Sequence, residues 1–167
     1  MNINLIKPLI VFDLETTGVQ IAKDRIVEIY CITIHPDGKE EHLHQVLNPT
    51  IPIPPEVSKI HGIWDKDVAD KPTFKAFSAE LNAFLGDADF GGFNSNRFDF
   101  PMLAEEFYRA EIKFDTNRMF IDAQRIFHKM EPRNLGAAYK KYCSKDLVDA
   151  HSAKADTIAT WEVIKAQ

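Results

Sequence analysis

The sequence predicts a mixed α/β layer fold in a single domain, residues 1–167, and three observations predict it. Strand-like runs open the chain, three in succession. After a proline-rich break, helical and strand-like stretches alternate. Helical periodicity alone then fills the last part. A chain of 167 residues that is 45% apolar and 27% charged has the composition of a globular protein. A domain of that size buries roughly two-thirds of the surface its unfolded chain exposes. No apolar run approaches the ~18 residues of a membrane span. Met1 to Ile10 lacks the cationic start and small-residue cleavage site of a secretory signal. Cys31 and Cys143 stand far apart with no metal-type spacing. The expectation is a cytoplasmic protein with reduced thiols and no membrane partner, with Cys31 in a buried strand and Cys143 at a helix end.

Each element follows from a local pattern. Pro8-Leu-Ile-Val-Phe12 is apolar and β-rich and ends in Asp13-Leu-Glu-Thr-Thr-Gly18, a buried strand opening into a loop. Arg25 to His35 reads as a second strand. Pro36-Asp37-Gly38 turns the chain, and Lys39 to Leu47 alternates as a third strand, completing an antiparallel meander. Four prolines between Asn48 and Pro55 exclude regular structure there. Phe74, Phe77, Leu81, Phe84 and Leu85 form the apolar stripe of a helix over Pro72 to Leu85. Ala88 to Phe93 is the fourth strand, Asp99 to Ala110 a helix with Pro101 in its first turn, and Arg118 to Ala123 the fifth strand. Helices are expected over Gln124 to Lys129, Asn134 to Cys143 and Ser152 to Lys165, the last with Ser152 as N-cap.

Charge is spread unevenly. The formal net charge is −5, yet Arg125 to Lys154 holds seven bases and three acids, a local +4 that leaves −9 for the remainder. This separation fits a phosphate backbone against the basic stretch and cations among the acids; a solvated helical surface accounts for the bases equally well. Asp13 and Glu15 are two apart on a strand, so both side chains leave by one face. Such a pair repels itself unless neutralised, and its hard oxygens suit magnesium or manganese. A polar strand end facing solvent has the same pattern. Thr16-Thr17-Gly18 offers hydroxyls and a backbone open to close approach, or is only a turn. Asn94-Ser-Asn-Arg-Phe-Asp99 follows a strand and opens a helix, placing Asp99 where open α/β sheets bind ligands, or where a plain helix cap would sit. In His151-Ser-Ala-Lys-Ala-Asp156, Asp156 lies just over one turn inside the last helix, rigid enough to ligate a metal. His151 precedes it on a loop and, with an unperturbed pKa near ~6.5, suits proton transfer; a lone histidine is otherwise a surface or capping residue. His42 and His44 lack a third ligand and read as an exposed edge. Arg97 suits a phosphate, and Phe93 or Phe98 suits stacking on a base or sugar.

In this order, D-x-E-T-T-G, N-x-x-x-F-D and H-x-x-x-x-D resemble the three exonuclease motifs of the DEDDh branch of the DnaQ-like 3′-to-5′ exonuclease superfamily. Within it they are similar to the proofreading epsilon subunits of bacterial DNA polymerase III. The resemblance runs from Ile10 to Trp161. It takes in Ile60-His-Gly-Ile63, similar to the segment beside the terminal nucleotide, and Asn134-Leu-Gly-Ala137, similar to the leucine segment opening a late helix. The resemblance implies a ribonuclease H-like fold, a mixed five-stranded sheet of three antiparallel strands followed by parallel ones, flanked by helices. It implies two Mg2+ or Mn2+ ions held by Asp13, Glu15, Asp99 and Asp156, with His151 as general base. It also implies Leu14, Thr16, Thr17, Gly18, His61, Asn94 and Phe98 as the residues at the substrate. The implied partner is the 3′ end of a nucleic acid, and the product a nucleoside monophosphate. Single-stranded DNA comes ahead of RNA, because Thr16 stands where oligoribonuclease relatives carry methionine. A polymerase is a further partner the resemblance admits, although the sequence shows no binding tail of the epsilon kind after the last helix. Phe93 stands where many relatives place a histidine before the asparagine.

Two other readings compete. Phe12-Asp-Leu-Glu-Thr-Thr17 echoes the D-x-D-x-T motif of haloacid-dehalogenase phosphatases, but Glu15 is the wrong carboxylate. Gly86-Asp-Ala-Asp-Phe90 also lacks their later acidic pattern, and His151 and Asp156 go unexplained. A non-catalytic module that only holds a 3′ end would have little need to keep every acid and the histidine.

Overall fold

β1 (Leu9–Thr16) carries the organising pattern: Ile10, Phe12, Leu14 and Thr16 are buried while Val11 and Asp13 are exposed, the alternation of a strand with one covered face. The computed structural model describes residues 4–167. Its internal contacts separate two units, Met1–Gln124 and Arg125–Gln167.

In the first unit, β2 (Ile26–Ile34) pairs antiparallel with β1, and β3 (Glu40–Val46) pairs antiparallel with β2. β4 (Asp89–Gly92) joins the other side of β1 in parallel, and β5 (Phe120–Asp122) joins β4 in parallel. The order β3-β2-β1-β4-β5 is the mixed five-stranded sheet expected from the resemblance. The helices of this unit are α1 (Pro55–His61), α2 (Asp65–Val68), α3 (Phe74–Leu85) and α4 (Asp99–Arg109). Ile10, Phe12 and Leu14 from β1 meet Leu81 and Leu85 from α3 and Met102, Leu103 and Phe107 from α4 in one buried cluster. Phe90 lies at its centre, with ring centroids 5.3 Å from Phe12, 5.5 Å from Phe100 and 5.6 Å from Phe120. Arg118 closes the C-terminal end of α3, donating to Gly86 O and Ala88 O at 2.7 Å each, a favourable place for a cation beside a helix dipole.

β1 runs through the acidic motif, with Asp13 opposite Tyr30 and Glu15 opposite Glu28, so the two acids lie on one strand as their spacing predicts. The structure departs from the sequence reading at the proline-rich stretch, which is not irregular to its end: α1 begins at Pro55 itself, because a proline in a first helical turn lacks only an N–H that nothing would accept.

The second unit is helical. α5 (Ala123–Met130) leads into it and buries no side chain. α6 (Leu135–Cys143) and α7 (Ala153–Ala166) pack through Tyr139, Ala159 and Val163, flanked by Leu135, Ala138 and Leu147. Tyr139 Oη donates to Glu162 at 2.8 Å, and Lys145 reaches the same carboxylate at 2.7 Å. Asn134 caps α6, accepting from Ala137 N–H at 2.9 Å. Ser152 occupies the N-cap position of α7 as expected, but its hydroxyl makes no capping bond. Cys31 is a buried strand residue and Cys143 a half-buried helix end, both free thiols. Burial pushes the Cys31 thiol up to about 12, which leaves it chemically inert. Among the described residues no helix is long and apolar enough to cross a membrane.

Phe90→Ala should cost about 3–5 kcal/mol, the range for deleting a buried phenyl ring. Chemical denaturation measures this; an unchanged midpoint would show that the aromatic cluster does not hold the sheet to its helices.

Candidate active site

The buried alternation of β1 sends Phe12 and Leu14 into the core, and Asp13 and Glu15 therefore leave by the opposite face. β4 runs parallel to β1 as its neighbour, so both strands end at the same edge of the sheet, and α4 begins just beyond it with Asp99. Phe98, not Asp99, holds the N-cap position and makes no capping bond, so Asp99 is no ordinary cap. Asp99 is only 6% exposed. Burial pushes its carboxyl up to about 6, the Asp13 charge and more weakly the Glu15 charge push the same way, and N–H groups of Asp99 itself and Leu14 pull against them. Burial also raises the Glu15 carboxyl; His61 opposes the shift, while Asp13 and Glu28 add to it.

His61 is the last residue of α1. Its Nδ1 accepts from Ile63 N–H at 3.1 Å, which assigns the proton of the neutral ring to Nε2. Nε2 is buried and has no hydrogen-bond partner among the described residues. Asn94 sits in the left-handed region at φ 63°, and its N–H donates to Asp122 at 3.0 Å, pinning the loop between β4 and α4. Phe98 packs half-buried against the core, while Phe93 is 62% exposed.

Of the residues expected at the substrate, one is committed to the core and three to the loop itself. The Leu14 side chain belongs to the core, so only its backbone faces Asp99. Thr16 Oγ1 donates to Gly18 O at 2.7 Å, and Thr17 Oγ1 donates to Asp24 at 3.0 Å. Gly18 makes room for Asp24, whose Oδ2 would stand 2.6 Å from an added Cβ. α4 is strapped to this same loop: Arg109 donates to Glu106 at 2.7 Å, to Ile21 O at 2.7 Å and to Asp24 O at 2.8 Å.

Glu28 is a site neighbour that sequence reading missed. It faces Glu15 across the β1–β2 ladder and is bound by His44 Nε2 at 2.6 Å, a contact that only strand register reveals. His42 and His44 otherwise lie on the exposed edge strand as expected, with His42 Nδ1 at 3.0 Å from Tyr30 Oη.

In the second unit, His151 is exposed on the loop before α7 at φ 76°, and Asp156 lies in the first turn of that helix. Both line one pocket with Asn134, Gly136, Lys140 and Asp146. Asp156 Oδ1 is buried with no hydrogen-bond partner among the described residues.

The first unit thus brings Asp13, Glu15, Asp99 and His61 together, and the second brings His151 and Asp156 together. Among the described residues no three His, Cys, Asp or Glu side chains stand close enough to grip one metal ion as they are. The donor chemistry nevertheless fits a hard divalent cation: acids held together against their own repulsion, and an orphaned carboxylate oxygen.

The exonuclease family model, RNase_T, matches residues 10–164. This chain belongs to that exonuclease family. It is 33% identical to the DNA polymerase III subunit epsilon of Rickettsia prowazekii over 169 residues, covering 94% of the chain and 72% of that protein. It is 35% identical to the Treponema pallidum subunit epsilon over 95 residues, 57% of the chain and 44% of that protein. The family fold recurs in the zinc-bound complex of E. coli exonuclease I with single-stranded DNA, at a TM-score of 0.66 and 20% identity over 96% of this chain. The chain spans 39% of that exonuclease and less than half of the Treponema protein.

Asp99 makes metal-free stability pH-dependent. Its folded pKa of about 6 exceeds the ~3.9 of an unfolded aspartate. The fold therefore favours the protonated form, and stability falls as pH rises from about 4 through about 6, by of order 2–3 kcal/mol. In EDTA, melting temperature should drop over this window, and Asp99→Asn should flatten the drop. A variant with the wild-type slope would show that another group carries it.

Proposed function

We propose that this chain is a 3′-to-5′ exonuclease domain, residues 1–167, that removes nucleoside 5′-monophosphates from a DNA strand with two divalent cations, Mg2+ or Mn2+. The observation that carries the reading is the buried Asp99 carboxyl pressed against Asp13 and Glu15, an arrangement that disfavours its own charge and that bound cations would relieve. Asp13, Glu15, Asp99 and Asp156 would hold the cations and offset most of their charge. Once bound, the pair would activate a water and stabilise the departing 3′ oxygen.

The remaining steps fall to side chains and backbone. His151, on an exposed loop, takes the proton from the attacking water. His61 offers its unpartnered Nε2–H to the terminal nucleotide, and Phe98 offers a ring edge beside it. Asn94 holds the loop that carries Phe98, and Leu14, Thr16, Thr17 and Gly18 present backbone to the sugar and phosphate. Single-stranded DNA is the favoured substrate, in keeping with the DNA-bound exonuclease I of the same fold. A polymerase is a partner in keeping with the epsilon relatives, and a cytoplasmic setting with the two free thiols.

The test uses end-labelled single-stranded DNA, a duplex with a mismatched end and an RNA oligomer, each with Mg2+ and with EDTA. A ladder of shortened strands and free mononucleotides is expected with the metal alone, fastest on single-stranded DNA. His151→Ala should lower turnover by about 10²- to 10⁴-fold with an unchanged melting temperature. Intact strands under every condition would sink the proposal, and release of inorganic phosphate from small monoesters alone would favour a phosphatase.

A further inference from the structure

On the exonuclease reading, in which Asp13 and Asp99 hold the same cations, we propose that Gly92 and Ser95 are positioning residues for the reaction. The bare Cα of Gly92 lets Ser95 pack down beside β1, and that contact sets how far Asp99 stands from Asp13.

The first ground is room. The parallel ladder of β1 and β4 ends at Val11 and Gly91; beyond it β1 goes on into its acids, while β4 ends at Gly92. A Cβ added to Gly92 would stand 2.6 Å from Ser95 Oγ, 2.7 Å from Ser95 Cβ and 3.2 Å from Phe12 O. The first two distances are overlaps, and the third presses on the carbonyl directly before Asp13. Conformation does not ask for this glycine, because its φ is outside the left-handed region. Gly91 beside it makes the contrast: there an added Cβ would meet Val11 Cγ2 at 3.4 Å and Ile121 O at 3.6 Å, ordinary contact. Of two adjacent glycines, only Gly92 is required by the close approach of another residue.

The second ground is what Ser95 joins. It is fully buried, and its Oγ has no hydrogen-bond partner among the described residues, so the side chain serves by its size and not by a bond. Burial also keeps it from the substrate. Its carbonyl accepts from Phe100 N–H at 2.9 Å, in the first turn of α4 and next to Asp99. Phe12 O, Gly92 and Ser95 therefore meet at one spot that lies one residue from Asp13 on one side and one hydrogen bond from the turn of Asp99 on the other.

The third ground is that the loop has little freedom to yield. Asn94, just before Ser95, is held by Asp122, which is the partner of Gly92 across the β4–β5 pair. Close-packed interiors answer an added methyl by shifting backbone. Crowding at Gly92 must then push Ser95 away from β1, and the first turn of α4 moves with it.

The test compares Gly92→Ala, Gly91→Ala and Gly92→Ala combined with Ser95→Gly, by melting and by Mn2+ titration with the free ion read by electron paramagnetic resonance. Gly92→Ala should bind Mn2+ about tenfold more weakly, the scale set by overpacking a buried contact. On single-stranded DNA its kcat should fall by about 10²-fold with KM little changed, as for a reacting geometry misplaced by ~1 Å. Adding Ser95→Gly should restore most of both losses, and Gly91→Ala should match wild type. Ser95→Val crowds the same contact from the loop side and should behave as Gly92→Ala does, which keeps the test decisive if one variant fails to fold. A Gly92→Ala protein that melts lower yet keeps wild-type Mn2+ affinity would overturn the positioning role, as would a double variant no better than the single one. A wild type that takes up no Mn2+ would sink the exonuclease reading and this inference with it.

Discussion

Three acids crowded at one end of a sheet, with the most buried of them against its neighbours, form the constraint on which the first unit turns. Asp99 is almost entirely excluded from solvent, and its carboxyl is pushed to about 6 by that burial and by Asp13 and Glu15. Apart from any ligand, such an arrangement is a cost to the fold. Everything that could relax it is instead restrained: Asp13 and Glu15 by ladder pairing to β2, Asp99 by the first turn of α4.

The restraint reaches well beyond the acids. Arg109, at the far end of α4, ties that helix to the loop that follows Glu15 through Ile21 O and Asp24 O. Glu106, only 3% exposed, is held between Arg109 and Arg25. A buried ion pair of this kind adds little net stability, but it fixes how two elements meet. The helix that supplies Asp99 and the loop that continues the strand of Asp13 and Glu15 thus form one connected piece. The Thr16 and Thr17 hydroxyls, turned inward to Gly18 O and Asp24, stiffen the same loop.

The second unit follows a different economy. Its core is small, built on Tyr139, Ala159 and Val163, and much of its surface is basic. His151, proposed for proton transfer, lies exposed on a loop, while Asp156, proposed as a metal ligand, lies on a helix. Exposure suits an imidazole that would accept and release a proton, and a helix suits a carboxylate that would hold position.

Sequence alone determined the order and type of nearly every element, because period-two and helical periodicities are local properties. It singled out Asp13, Glu15, Asp99, His151 and Asp156 because three motifs in order are specific where each alone is ambiguous. Only tertiary structure revealed α1, which a proline-rich stretch conceals because proline is excluded from helix interiors but not from a first turn. Glu28 beside Glu15, His44 on Glu28 and the inward turn of the threonine hydroxyls depend on strand register and loop closure. Those bring together residues far apart in the chain, and no local pattern records them.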